Sequence, residues 1–172
     1  TVISFKNDKM AFHLKKRLSA IAKPILFEEN MNFYKSTGDG FLATFSGPLQ
    51  ALDVAQKILQ ALKKRNGTTD NPPIQVRIGL HFGKTYIIDP VTDDIHGYDI
   101  NLTFRLEGLK KAAFSKFFVK LPQVNRILAT RSFYDQIDNR SKRKREDFRL
   151  IGPAKLKGVD EKIDIFDVAW DK

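Results

Sequence analysis

The chain has 172 residues, no cysteine and a formal net charge of +10 at pH 7. That length supports one buried core, and the lack of thiols excludes disulfides, thiolate metal sites and cysteine nucleophiles and fits a reducing, cytoplasmic setting. No apolar run approaches the ~20 residues that cross a bilayer. The start, Thr1-Val2-Ile3-Ser4-Phe5, has neither the charged front nor the apolar centre of a secretion signal, so any membrane anchor is expected outside this chain.

Lysine and arginine outnumber aspartate and glutamate by 30 to 20, which favours polyanionic partners such as nucleotides, nucleic acid or acidic lipid without choosing among them. The densest basic run, Lys142-Arg143-Lys144-Arg145, reads either as a nucleic-acid or localisation patch or as a solvated loop.

Helix-period segments take turns with strand-period ones and no internal repeat occurs, which predicts an α/β or α+β sandwich. Leu14, Leu18, Ile21 and Ile25 recur at spacings of four, three and four, predicting an amphipathic helix from about residue 9 to 28 that Pro24 bends or ends early. Residues 31–35 and 41–45 are strand formers joined by Ser36-Thr37-Gly38-Asp39-Gly40, so a hairpin with Asp39 at its tip is expected. Pro48 suits the first turn of a second helix, whose apolar stripe is Leu52, Ala55, Ile58, Leu59 and Leu62 and whose end is Lys63-Lys64-Arg65-Asn66-Gly67.

After a loop to Pro73, the alternation of Ile74, Val76, Ile78, Leu80 and Phe82 predicts a strand with one buried face, and Gly79 and Gly83 mark places where side chains are unwelcome. Residues 86–88 read as a short strand broken at Asp89-Pro90, and residues 98 to about 111 as a helix. Further on, residues 117–120 and 126–130 read as extended, 132–137 as a short helix, and 148–151 with 163–168 as closing strands.

Three stretches carry chemistry: Lys35-Ser36-Thr37-Gly38-Asp39-Gly40-Phe41, then Asp94-Ile95-His96-Gly97-Tyr98-Asp99-Ile100-Asn101 through Arg105-Leu106, then Leu156-Lys157-Gly158-Val159. Together with Val76-Arg77-Ile78-Gly79-Leu80-His81-Phe82-Gly83, and in this order and separation, they resemble the catalytic domain of class III adenylate and guanylate cyclases over most of the chain. The resemblance implies a ferredoxin-like α/β sandwich, with residues 1–172 as one catalytic domain and Val76 to Gly83 on its central strand. It also implies a head-to-tail homodimer with nucleotide sites in the interface.

Forming a cyclic nucleotide requires the ribose 3′-hydroxyl to attack the α-phosphate of its own molecule while pyrophosphate leaves. The hydroxyl's pKa must fall and phosphate charge must be neutralised. Asn101 and Arg105, four apart on a helix, share one face; the resemblance assigns Asn101 to the ribose and Arg105 to the charge growing on phosphorus. It further assigns Asp39 to Mg2+ or Mn2+, Lys157 to the terminal phosphates, and Lys35 with Asp94 to the purine. A lysine donating to the ring nitrogen and a carboxylate accepting from the exocyclic amine complement adenine, so ATP, giving cyclic AMP, is the expected substrate. Taken singly, each of these residues also reads as an ordinary turn, strand-end or helix-surface group.

The chain departs from the family pattern at three places. The second metal-binding aspartate, on the first strand, is expected upstream of Thr1, and Asp8 is a poor substitute for it. The domain therefore reads as N-terminally truncated and catalytically impaired by itself. Phe104 is bulkier than the small residue usual before the helix arginine, and the 110–123 stretch is longer. His13, His81 and His96 lack metal-ligand spacing and read as structural or exposed, and no Ser-His-Asp set is evident. Two other functions compete with the cyclase: a silent cyclase-like module that binds nucleotide or a partner, and a single-strand RNA reader on the same sandwich. The RNA reader needs exposed aromatics on the central strand; Gln75, Arg77 and His81 are expected there instead, so no nucleic-acid partner is expected.

Overall fold

The computed structural model describes residues 8–89, 94–114, 120–137 and 142–171. The chain forms two compact units, one of residues 1–78 with 123–126 and 170–172, the other of residues 79–122 with 127–169.

The first unit opens with α1 (Asp8–Glu28), whose fully buried residues are Leu14, Leu18, Ala22 and Leu26, each four from the last. Ile21 and Ile25 of the expected stripe are half-buried at its margin. Pro24 does not end the helix, which continues to Glu28. Pro24 and Ala20 both lie on the exposed side, where water can take the carbonyl that a proline leaves without its helical donor. The hairpin follows as expected: β1 (Phe33–Ser36) pairs antiparallel with β2 (Phe41–Thr44), from Phe33 opposite Thr44 to Ser36 opposite Phe41. Its turn is closed by the Thr37 N–H donating to the Gly40 carbonyl at 3.0 Å.

Helix α2 (Pro48–Asn66) starts after Gly47, whose N–H donates to the Gln50 side chain at 3.1 Å. It buries Leu52, Val54, Ala55, Ile58, Leu59 and Leu62, the expected stripe plus Val54, and stops at Gly67. Lys57 donates to Glu29 at 2.5 Å, and that hydrogen bond raises the lysine's pKa above its usual value. Asn66 then holds the backbone of Ile74 from both sides, donating to its carbonyl at 2.9 Å and accepting from its N–H at 3.0 Å. Asn125 holds Val76 with its backbone N–H, which donates to the Val76 carbonyl at 2.7 Å, and its side-chain Oδ1, which accepts from the Val76 N–H at 3.2 Å; the Asn125 carbonyl accepts from the Trp170 indole at 2.9 Å.

Strand β3 (Arg77–Leu80) leads into the second unit and its four-stranded sheet, ordered β3, β6 (Arg126–Thr130), β8 (Lys162–Val168), β7 (Phe148–Lys155). β3 is shorter than the alternation suggests and, among the described residues, stands at the end of this order. Ile74, Val76 and Leu80 are buried as predicted, but Phe82 is 46% exposed because the chain has left the ladder by then and the Phe82 carbonyl accepts from Ser132 instead. β4 (Tyr86–Asp89) and β5 (Asp94–His96) form a separate antiparallel ribbon.

Helix α3 (Tyr98–Glu107) stops short of the predicted end because Gly108 caps it, and a single 3-10 turn follows at Lys111–Ala113. The short helix α4 (Arg131–Asp135) begins at Thr130, which accepts from the Phe133 N–H. The basic run is not a loop but a turn of helix, α5 (Lys142–Arg145), with the Arg145 guanidinium 4.7 Å from the Tyr134 ring centre and donating to the Ile137 carbonyl. β7 and β8 pair over their whole length, so the closing hairpin is longer than expected. Residues 1–7, with most of the 117–120 segment and part of the 110–123 stretch, fall outside the described residues, and of Asp8 only its place at the start of α1 is described.

Leu102, Leu106 and Leu109 of the α3 segment share one core with Leu128, Ala154, Leu156, Val159 and Ile165. Among the described residues no helix is long and apolar enough to cross a membrane. Leu59, 1% exposed in the middle of α2, should be among the costlier positions to truncate: Leu59→Ala is expected to lower stability by about 2–5 kcal/mol in urea denaturation.

Candidate functional site

Helix α3 carries two of the predicted site residues, and glycines decide how close it comes to its neighbours. A Cβ on Gly79 would stand 3.0 Å from the Thr103 carbonyl oxygen and 3.1 Å from the Glu107 nitrogen. A Cβ on Gly83 would overlap the Asp99 carboxyl, 2.3 Å from its Cγ. The helix backbone therefore lies directly on Gly79, and Asp99 fills the space over Gly83.

Asp99 uses that closeness. Its Oδ2 accepts from the Lys84 backbone N–H at 2.7 Å, and its Oδ1 is 3.0 Å from Nε2 of His81. A carboxylate only accepts, so Nε2 carries a proton, and in the neutral ring Nδ1 accepts in turn. Thr130 Oγ1 lies 2.8 Å from Nδ1 and Ser132 Oγ 3.2 Å from it. Serine, histidine and aspartate thus do come together, although no such set was evident in the sequence. It is not a nucleophile: the Ser132 hydroxyl donates to the Phe82 carbonyl at 3.0 Å, which leaves Thr130, 1% exposed, as the donor to Nδ1. Nor does His81 point outward as predicted, since its side chain is only 8% exposed. Its ring braces the first turn of α3.

On that braced helix Ile100, Leu102 and Leu106 face the core, Asn101 is exposed and Arg105 is half-buried. The turn between β7 and β8 meets the same helix. Leu156 and Val159 bury themselves beside Leu102 and Leu106, and between them Gly158 adopts φ +68°. The Arg105 guanidinium occupies the room a side chain would need there, its Nη1 3.0 Å from the Cβ position of Gly158. Among the described residues Arg105 has no hydrogen bond or ion pair, and Lys157 stands exposed beside Gly158. Arg105, one helical turn after Asn101, thus meets the β7–β8 turn that bears Lys157. A guanidinium that has no counter-charge among the described residues suits a phosphate.

Asp94 lies in β5, not in a turn, and its Oδ2 stands 3.2 Å from His96 Nε2. Gly97 separates it from α3. In the first unit, Lys35 is exposed on β1 and Asp39 is exposed in the hairpin turn. The carboxylate of Asp39 is open to a cation, but among the described residues no three His, Asp or Glu side chains come together to hold one. A single carboxylate does not complete a magnesium or manganese site.

No family model matches the chain. Solved structures do. The adenylate/guanylate cyclase/hydrolase from Silicibacter pomeroyi superposes with a TM-score of 0.76 at 22% identity, covering 100% of this chain and 94% of that one. An adenylate cyclase of Trypanosoma brucei, solved as a monomer, gives 0.72 at 17% identity over 98% and 86%. The chain has the fold of the class III adenylate/guanylate cyclase catalytic domain. Among curated proteins, "Putative adenylate cyclase 3" of Rhizobium meliloti is 26% identical over 107 residues, 60% of this chain. The chain spans only 18% of the length of that relative.

Within the cyclase fold, the residues that sequence reasoning missed are His81, Asp99, Thr130 and Ser132. Gly79 and Gly83 were the available signal, since both were marked as places that exclude side chains. Gly83→Ala is expected to cost about 1–3 kcal/mol in urea denaturation, because Asp99 must leave its place. Gly67→Ala, where φ is −81° and the nearest atoms would be carbonyl oxygens at 3.6 and 3.7 Å, should stay within about 0.5 kcal/mol.

Proposed function

We propose that residues 1–172 form the catalytic domain of a nucleotide cyclase that converts ATP to cyclic AMP and pyrophosphate. The observation that carries this reading is Arg105, half-buried, without a counter-charge among the described residues, held against Gly158 and sharing a helix face with Asn101. A guanidinium so placed can meet the charge that grows on the α-phosphate as the 3′-hydroxyl attacks. Asn101 has both a donor and an acceptor with which to orient the ribose, and Lys157, exposed on its turn, can neutralise the terminal phosphates. Lys35 and Asp94 are the adenine-reading pair.

Asp39 acts on the nucleotide from one protomer of a homodimer, and Lys35, Asp94, Asn101, Arg105 and Lys157 act from the other. Divalent magnesium or manganese would supply further neutralisation of the triphosphate, with Asp39 as one ligand. A second reading is a silent module that binds nucleotide or a partner.

Direct measurement of cyclic nucleotide separates the two. The chain, and a form extended at its N-terminus, are incubated with ATP or GTP and magnesium or manganese; product from ATP is expected in the extended form. Arg105→Ala should then lower kcat by about a thousandfold or more, and Lys35→Glu should move preference from ATP towards GTP. Nucleotide binding without product in either form supports the silent module. Mixing Asp39→Ala with Arg105→Ala chains should restore activity, because each heterodimer keeps one intact site; no recovery would count against shared sites.

A further inference from the structure

The first unit contains a cavity of about 150 Å³ that none of the groups discussed above uses. It lies between α1 and the hairpin. Lys15, Leu18, Ser19 and Lys23 line it from one face of α1, and Tyr34, Ser36, Gly40 and Phe41 line it from the other side. The Tyr34 and Phe41 rings are stacked, 5.7 Å between centres and 28° apart, so part of the lining is flat and aromatic. Lys23 holds its ammonium 5.4 Å from the Tyr34 ring centre.

The charge of this cavity is one-sided. No lining residue is acidic, and between Met10 and Lys23 the helix carries Lys15, Lys16, Arg17 and Lys23 with no aspartate or glutamate. Among the described residues neither Lys15 nor Lys23 forms an ion pair. Two ammonium groups, with the Ser19 and Ser36 hydroxyls beside them, form a set of donors with no acceptor of matching charge. Like charges facing one cavity repel, and a bound anion turns that repulsion into attraction. Two cations and two hydroxyls match a dianion with three oxygens better than a carboxylate with two, while the stacked rings offer a surface to a flat organic body.

We propose that this cavity binds a small phosphomonoester with a flat ring, its phosphoryl group between Lys15 and Lys23 and its ring against Tyr34 and Phe41. The site lies on the face of β1 opposite Lys35, because Tyr34 and Ser36 alternate with it along the strand. Its occupant is therefore distinct from a nucleotide read by Lys35, and it would stiffen the strand that carries that lysine.

The experiment needs no turnover, so it stands or falls apart from the cyclase reading. Phenyl phosphate is titrated into the full chain while the ring resonances of Tyr34 and Phe41 are followed by NMR, with benzoate as the second probe. Saturable shifts of both rings are expected, with affinity falling about tenfold or more in each of Lys15→Met and Lys23→Met. These substitutions keep the aliphatic stem of an incompletely buried side chain, and unchanged urea denaturation confirms that the fold is intact. Lys35→Ala should leave phenyl phosphate binding unchanged. Absence of saturable shifts, or shifts that survive loss of both lysines, overturns the site. Binding that is lost in Lys35→Ala but kept in the other two variants also overturns it, by placing the anion on the opposite face. Benzoate binding more tightly than phenyl phosphate overturns the phosphoryl assignment.

Discussion

Helix α3 can lie where it does only because positions 79 and 83 carry no side chain. The helix backbone approaches Gly79 to within contact of a single carbon, and the Asp99 carboxyl fills the room over Gly83. From there Asp99 holds the Lys84 N–H and the His81 ring, and His81 in turn reaches Thr130 at the end of β6. One buried imidazole thus ties the start of α3 to the chain after β3 and to the end of β6. The residues proposed for the ribose and the reacting phosphate ride on that helix: Asn101 and Arg105 keep their direction because Asp99, in its first turn, is fixed.

The same helix explains why the β7–β8 turn belongs to the site. Leu102 and Leu106 bury themselves against Leu156 and Val159, so hydrophobic packing brings the turn to the helix, and Gly158 leaves the gap into which the guanidinium fits. Other arginines of this unit are spent on structure. Arg131 pairs with Asp164 at 2.9 Å and Arg149 with Asp167 at 2.6 Å. Against that background, Arg105 stands out as a cation held in place without a counter-charge among the described residues.

In the first unit, the alternation of a short strand separates two chemistries. Lys35 faces one way from the hairpin, and Tyr34 and Ser36 face the other, towards the basic side of α1. A four-residue strand can therefore serve a nucleotide on one side and a second anion on the other. Among the described residues, cations thus divide into structural pairs, such as Lys57 with Glu29 and Lys63 with Asp171, and groups without an ion pair, such as Lys15, Lys23 and Arg105.

The elements set by local pattern were legible in the sequence. Helix α2 follows from Pro48, an apolar stripe and Gly67; the hairpin follows from two strand-forming runs around a glycine-rich turn; the cyclase fold was legible from short motifs in order. Misreadings came where distant residues decide. Pro24 signals a helix end, yet α1 passes through it because that side faces water. Phe82 continues a buried alternation and is exposed, because Ser132, 50 residues on, takes its carbonyl. His81 looked outward by period alone, but Asp99, Thr130 and Ser132, separated from it by 18, 49 and 51 residues, enclose it. Period and turn chemistry are local properties, so the sequence by itself determined which segments are helix and strand and which residue types could handle a phosphate. Which of those residues meet, and which cations stay unpaired, depends on contacts across tens of residues that only the tertiary structure decides.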